Sequence, residues 1–241
     1  MSIKNSKFNS NVNVIGGIPD YSSMIDYAMA SLKGDSKADF SFRTEKSGMR
    51  FISAINADIL NFANKQHREI IENALTSNNL RLDQKLLVVF WQLCINNELF
   101  SLISENYYFK NLYAGRISLS PDEILGYLYQ LRRDNPSELN WSDATLKITA
   151  SKYLTLLKKL GLANGTQVKE IKYPIIGDEV FEIFVRLALA VYPEMPTEQN
   201  PLFKFSFFDM GSFINKLKSI KFTENWSVMQ LGSNIKIELQ S

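Results

Sequence analysis

The chain has 241 residues, 45% of them hydrophobic and 22% charged, a composition that excludes a disordered or fibrous protein and suffices for one large core or two modest ones. One cysteine, Cys94, and one histidine, His67, exclude a disulfide framework, a multi-cysteine metal site and a histidine-rich metal centre. The net charge of +2 predicts no polyanion partner by itself, and the apolar run Leu86–Trp91 falls far short of the ~20 residues that a membrane-spanning helix needs, so the expectation is a soluble cytoplasmic protein.

Residues 1–19 are rich in Asn, Ser and Lys and end in Gly16-Gly17-Ile18-Pro19, which predicts a mobile N-terminal arm. A short helix is expected from Tyr21 to Leu32. Met49, Ile52, Ile55, Ile59 and Phe62 recur at helical spacing, with Arg43, Lys46 and Arg50 over the first turns. Another helix covers Gln66–Leu75, where His67, Glu69 and Glu72 read as an exposed polar face. Gln84–Ile95, with Asp83 as its expected cap, is apolar nearly all round, as befits the middle of a bundle, and Cys94 within it reads as a buried, inert thiol. Leu99–Leu112 continues as an aromatic-rich helix. Ser120-Pro121-Asp122-Glu123 starts a further helix that runs to about Arg133: Ser caps, Pro suits the first helical position and the acids meet the dipole.

Trp141-Ser142 precedes a helix over Asp143–Leu160, stopped at Gly161. Asn164-Gly165 then makes a turn, Gln167–Tyr173 alternates as a strand, and Pro174 follows. A capped amphipathic helix, a glycine stop and a short basic strand pair form the pattern of a winged helix-turn-helix. Val180–Val191 and Asp209–Ile220 read as helices, and Trp226–Leu239 as a hairpin turning at Gly232-Ser233-Asn234. The fold expected is mainly α: a helical bundle over residues 20–136, then a winged-helix-like lobe with small β-hairpins over 137–241.

Charge is unevenly distributed. Residues 1–144 carry net −1, residues 145–172 net +5, residues 173–198 net −4 and residues 199–222 net +3. On a helical projection of residues 143–160, Leu146, Ala150, Tyr153, Leu157 and Leu160 make a core stripe. Lys147, Ser151, Lys152, Thr155, Lys158 and Lys159 occupy the opposite face, with no carboxylate after Asp143. Solvent faces usually interleave Glu with Lys for i,i+4 support, whereas a face turned to phosphates carries ammonium and hydroxyl donors alone. Lys169 and Lys172 would lie on the wing. Lysine is a point charge rather than a bidentate reader of guanine, so the pattern points to salt-dependent contact with little sequence preference. A solvated face or a protein-docking joint remains the other reading.

Catalytic patterns are missing. The sequence has no glycine-rich phosphate loop with Lys-Ser/Thr, no dinucleotide fingerprint and no zinc-protease motif. Asn200-Pro201-Leu202-Phe203 is similar to the Asn-Pro-Pro-Phe/Tyr loop of adenine methyltransferases, but its third position departs and no cofactor loop accompanies it. The expectation is a protein without enzymatic activity, catalytic residues, cofactor, metal or small-molecule substrate. Tyr107, Tyr108, Phe109 and Tyr113, or Phe203, Phe205, Phe207 and Phe208, have the chemistry to stack on bases, with core packing expected for most of them.

Three segments carry a resemblance to a known family: Phe42-Arg43-Thr44-Glu45-Lys46-Ser47 with Arg50; Asn140-Trp141-Ser142-Asp143-Ala144-Thr145 with Leu160-Gly161-Leu162; and Glu170-Ile171 with Pro174-Ile175-Ile176. In their order and spacing across residues 40–190 the chain resembles the BrxA family of bacterial BREX phage-defence systems. The resemblance implies a NusB-like helical protein with small β-hairpins that binds double-stranded DNA, is not an enzyme and works beside the other BREX proteins. Arg43, Lys46 and Arg50, with the lysines of the second and third segments, are the candidate phosphate contacts it suggests. An assembly subunit without DNA contact and an RNA-binding antitermination-like module remain the alternatives.

Overall fold

A computed structural model describes residues 7–19, 21–34, 44–193, 195–196, 199–232 and 234–240. The chain forms two compact units, one of Met1–Asn61 with Glu72–Ile175 and one of Phe62–Ile71 with Ile176–Ser241. The expected boundary at residue 136 therefore does not divide them: the helix beginning at Asp143 packs within the first unit, and a short stretch before residue 72 joins the C-terminal residues in the second.

The first unit contains α1 (Asn11–Ile15), α2 (Tyr21–Leu32), α3 (Glu45–Asp58), the end of α4 (Lys65–Thr76), α5 (Leu82–Asn96) and α6 (Glu98–Ile103). A π-helical turn (Ser104–Phe109), α7 (Lys110–Tyr113), β1 (Ser118–Leu119), α8 (Pro121–Asp134), α9 (Asp143–Lys159), β2 (Ala163–Asn164) and β3 (Lys169–Ile171) complete it. Leu86 through Cys94 of α5 are all buried, as an all-apolar helix must be in water. The one amide among them is satisfied: Gln92 Nε2 donates to the Ile59 carbonyl at 2.7 Å. Asp83 lies in the first turn of α5 rather than at its cap, which is Arg81. At Asn97 the chain bends by 108° into α6, and no single helix among the described residues is long and apolar enough to cross a membrane. Asn97 makes the bend: its Oδ1 accepts the Phe100 amide and caps α6.

The N-terminal stretch is not a mobile arm from residue 7 onward. Phe8, Val12, Ile15 and Ile18 recur at helical spacing and are all nearly fully buried, with α1 packed against both α3 and α9. The polar residues that suggested an arm serve the docking. Asn11 Nδ2 donates to Asp58 Oδ1, and Asn97 Nδ2 donates to Asp58 Oδ2 and Asn9 Oδ1. Gly16 is required here, because a Cβ would stand 2.6 Å from the Lys152 carbonyl oxygen.

β1, β3 and β2 form a three-stranded antiparallel sheet in that order. With α6–α7, β1, α8, α9, β2 and β3 in sequence, this is the connectivity of a winged helix, and it begins well before residue 137. Sequence periodicity could not show β1, whose two residues have too little pattern.

The second unit packs α10 (Asp178–Val191), α11 (Met210–Leu217), 3₁₀ turns at Phe203–Phe205 and Ile220–Phe222, and the hairpin of β4 (Trp226–Leu231) and β5 (Asn234–Leu239). The helix expected to reach Ile220 ends at Leu217, with Lys218 already outside helical geometry. Phe181 lies at the centre of an aromatic core with Phe208, Phe213, Phe222 and Trp226, all with ring centroids within 6.3 Å of its own. Core packing also takes Phe203 and Phe205. His67 is fully buried, not on an exposed face. Its Nδ1 accepts the Ala63 amide at 3.1 Å while Asn64 Oδ1 caps the His67 amide, so the imidazole belongs to the start of α4.

Candidate nucleic-acid interface

The helix of interest is held at both ends. Ser142 Oγ accepts the Thr145 amide at 3.2 Å and caps α9. Arg132, from α8, binds the Trp141 carbonyl and the Asp143 carboxylate, each at 2.8 Å, fixing the turn between the two helices. Leu146, Thr149, Ala150, Tyr153, Leu154, Leu156 and Leu157 are buried, and the Tyr153 hydroxyl meets Ser104 Oγ at 3.0 Å.

The polar face divides in two. On one side Lys147, Ser151 and Lys158 are exposed and Thr155 is partly exposed, in one strip along the helix. Lys147 and Lys158 have no ion pair or hydrogen bond among the described residues. Thr155 Oγ1 donates back to the Ser151 carbonyl, leaving its lone pairs outward. On the other side the N-terminal segment covers the helix. Lys159 Nζ donates to the Gly16 carbonyl at 3.0 Å and to the Ile18 carbonyl, and stands over the Tyr21 ring. Burial, then the Lys152 charge beside it, holds the Lys159 pKa below the usual lysine range. Lys152 is half-buried against Gly17. Lys159 therefore fastens the N-terminal segment and is not an open phosphate donor as the projection suggested. A projection cannot see a segment from over 130 residues away in sequence that docks on the helix.

The wing shows the same division. Lys169 Nζ donates to the Gly165 carbonyl at 3.2 Å and to the Thr166 carbonyl, closing the turn between β2 and β3. Gly165 takes φ +86°, and a Cβ there would collide with the Val168 carbonyl. Lys172 is exposed, with no partner among the described residues. Lys46 and Arg50 are exposed on the first turns of α3, behind the Thr44 cap. Arg43 lies outside the described residues.

The structure thus brings Lys147, Ser151, Thr155 and Lys158 together, leaves Lys172 just past β3, keeps Lys46 and Arg50 on another helix, half-buries Lys152 beside Gly17, and engages Lys159 and Lys169 with backbone carbonyls. Among the described residues no group of three His, Cys, Asp or Glu side chains is placed to hold a metal ion. The concave surface along α3, between Met49 and Asn61, has no titratable side chain in its lining, and that beside Asn200 has Lys204 alone. Asn200 itself is engaged in the fold: Nδ2 donates to the Ala188 carbonyl and Oδ1 accepts the Leu202 amide. Sequence reasoning missed Tyr173, exposed beside Lys172 at the end of the sheet.

No protein-family model matches the chain, and no curated protein does.

Proposed function

We propose that this chain is a non-catalytic double-stranded-DNA-binding component of a bacterial phage-defence system of the BREX type, contacting mainly the phosphate backbone. The observation that carries the reading is the open strip on α9. Two unpaired lysines and the Ser151 hydroxyl stand on one side of α9, with no carboxylate among them, at the position that the recognition helix occupies in a winged helix. Lys172 extends the basic surface along the sheet. Its partners in such a system would be duplex DNA and the other defence proteins.

A strip of point charges without arginine reads backbone rather than bases. Binding should therefore weaken steeply with salt and be competed equally by unrelated duplexes. The test is fluorescence anisotropy of a labelled random duplex of roughly 30 base pairs, titrated between about 50 and 200 mM salt. Steep salt dependence supports the reading. Absence of binding at the lowest salt overturns it and makes the strip a docking face for a protein; preference for structured RNA overturns it in favour of an RNA module.

A further inference from the structure

The aromatic run after α6 is buried at Tyr107, Tyr108 and Phe109 and reaches the surface at Tyr113, which is 50% exposed. Tyr173, 59% exposed, stands next to it: its hydroxyl donates at 3.1 Å to the carbonyl of Leu112, the residue before Tyr113. Ile117 borders them, its carbonyl accepting the Ile171 amide at 2.7 Å, two residues before Tyr173, with its side chain 71% exposed. Two tyrosines and an isoleucine thus share one end of the sheet.

Neither ring is loose. Tyr113 leans on Phe109 with centroids 5.8 Å apart, and Tyr173 is pinned through its hydroxyl. Rings already held in place lose little entropy when something covers them. Lys110 precedes Tyr113 by one turn on the same side of its helix, and Lys172 directly precedes Tyr173. Both lysines are exposed and have no partner among the described residues. Of the neighbouring acids, Glu123 is bound to Arg116 at 3.0 Å, while Glu170 lies across from Ser118 on the sheet.

We propose that this edge is a second nucleic-acid site, one that takes unpaired nucleotides. Bases stack on Tyr113 and Tyr173, and Lys110 and Lys172 meet the phosphates between them. An apolar protein surface would satisfy the rings and leave both ammonium groups without counter-charge, whereas every nucleotide brings a π-face and an anion together. The inference rests on the nucleic-acid reading above and adds a single-strand preference confined to this edge.

The experiment measures anisotropy of labelled oligodeoxythymidine of about 15 nucleotides, a length suited to single-strand sites, in parallel with the duplex, using the full chain. Tyr113→Ala should weaken the single strand about tenfold and Tyr173→Leu by a similar factor, while Tyr113→Phe stays within about twofold of the parent. None of the three should move the duplex affinity. Unchanged single-strand affinity in Tyr113→Ala, or duplex binding with no single-strand binding at all, overturns this proposal and leaves the duplex reading standing. Tyrosine-dependent single-strand binding without duplex binding overturns the duplex reading and supports this one. A dimer of the parent in sedimentation that Tyr113→Glu dissolves overturns the proposal in favour of an interface between copies. Tyr113 is exposed, so these variants should fold, which circular dichroism checks.

Discussion

Two segments of the chain carry clusters of lysine, and the structure treats them differently. Residues 199–222 hold Lys204, Lys216, Lys218 and Lys221. There Lys216 and Lys221 grip the two oxygens of Asp178 at 2.8 and 2.7 Å, Lys218 donates to Gln230, and Lys204 stands over the Phe205 ring. Residues 145–172 keep Lys147, Lys158 and Lys172 without such partners among the described residues. Local charge counted along a sequence does not equal charge presented to a ligand. A carboxylate offsets a lysine's charge and a carbonyl occupies its N–H donors, and within residues 145–172 Lys159 and Lys169 are themselves engaged by carbonyls.

The largest expected effect tests that difference directly. Replacing Lys147 and Lys158 by Glu should weaken duplex binding roughly 100-fold, about 2.7 kcal/mol, and lower the salt slope by about 2. Replacing Lys216 and Lys221 by Gln should change it less than about threefold, since Asp178 holds both ammonium groups and cancels half of their charge. Equal losses in anisotropy titrations would mean that the whole chain's field, not the α9 strip, attracts the duplex.

The covered half of α9 depends on the N-terminal segment. Gly16→Ala should destabilise the first unit by about 2 kcal/mol, because its Cβ meets backbone oxygens of Lys152 and Val12 that cannot swing away. Chemical denaturation reads the loss, and hydrogen exchange should rise first over residues 8–18. A neutral outcome would mean that the segment does not pack on α9 as described.

Asp58 sets a pH dependence on the same docking. Burial pushes its pKa up to about 6, against the lowering effect of the Asn11 and Asn97 hydrogen bonds. The folded state then holds the proton more tightly than the unfolded chain does, so stability falls as pH rises from about 4 to 6. The change is on the order of 1–2 kcal/mol, and Asp58→Asn should flatten it in denaturation midpoints taken across that range. An unaltered slope would assign the pH dependence to another group.

Neighbouring lysines give a smaller contrast. Lys159→Met should cost about 1 kcal/mol of stability, through the Gly16 and Ile18 carbonyls it leaves, with little change in duplex affinity. Lys158→Met should do the reverse. If both variants lose affinity alike, Lys159 faces the ligand after all.

Much of the fold was readable because the chain marks its helix ends. Ser120-Pro121, Ser142 and Asp209 all stand at N-caps, and Ser120, Ser142 and Asp209 each accept a backbone amide there. The hairpin at Trp226–Leu239 and the buried run of α5 also follow their patterns. The site was half readable. Amphipathic spacing separates core from surface on α9, but it cannot say which part of a polar face another segment will cover, and Lys158 and Lys159 are indistinguishable until the Gly16 and Ile18 carbonyls are placed. The N-terminal docking hid behind asparagines whose amides are partners for a buried carboxylate rather than signs of solvent.

The smallest effect concerns the paired segment. The hydrogen bonds from Lys216 and Lys221 hold the Asp178 pKa down to about 2. Its stabilising contribution is therefore complete above the unfolded value of 3.8 and lost as pH falls from about 4 towards 2. Because 42% of its side chain is exposed, solvent screens most of the attraction, and roughly 0.5 kcal/mol remains. The difference between parent and Asp178→Asn in urea midpoints at pH 5 and at pH 2.5 isolates that contribution from the other carboxylates. A difference that disappears on acidification means that the Asp178 carboxylate engages Lys216 and Lys221 under ordinary conditions and offsets one of their two charges. One that is absent at pH 5 would return both lysines to the open surface, and the two segments would then differ only in where the helix presents them.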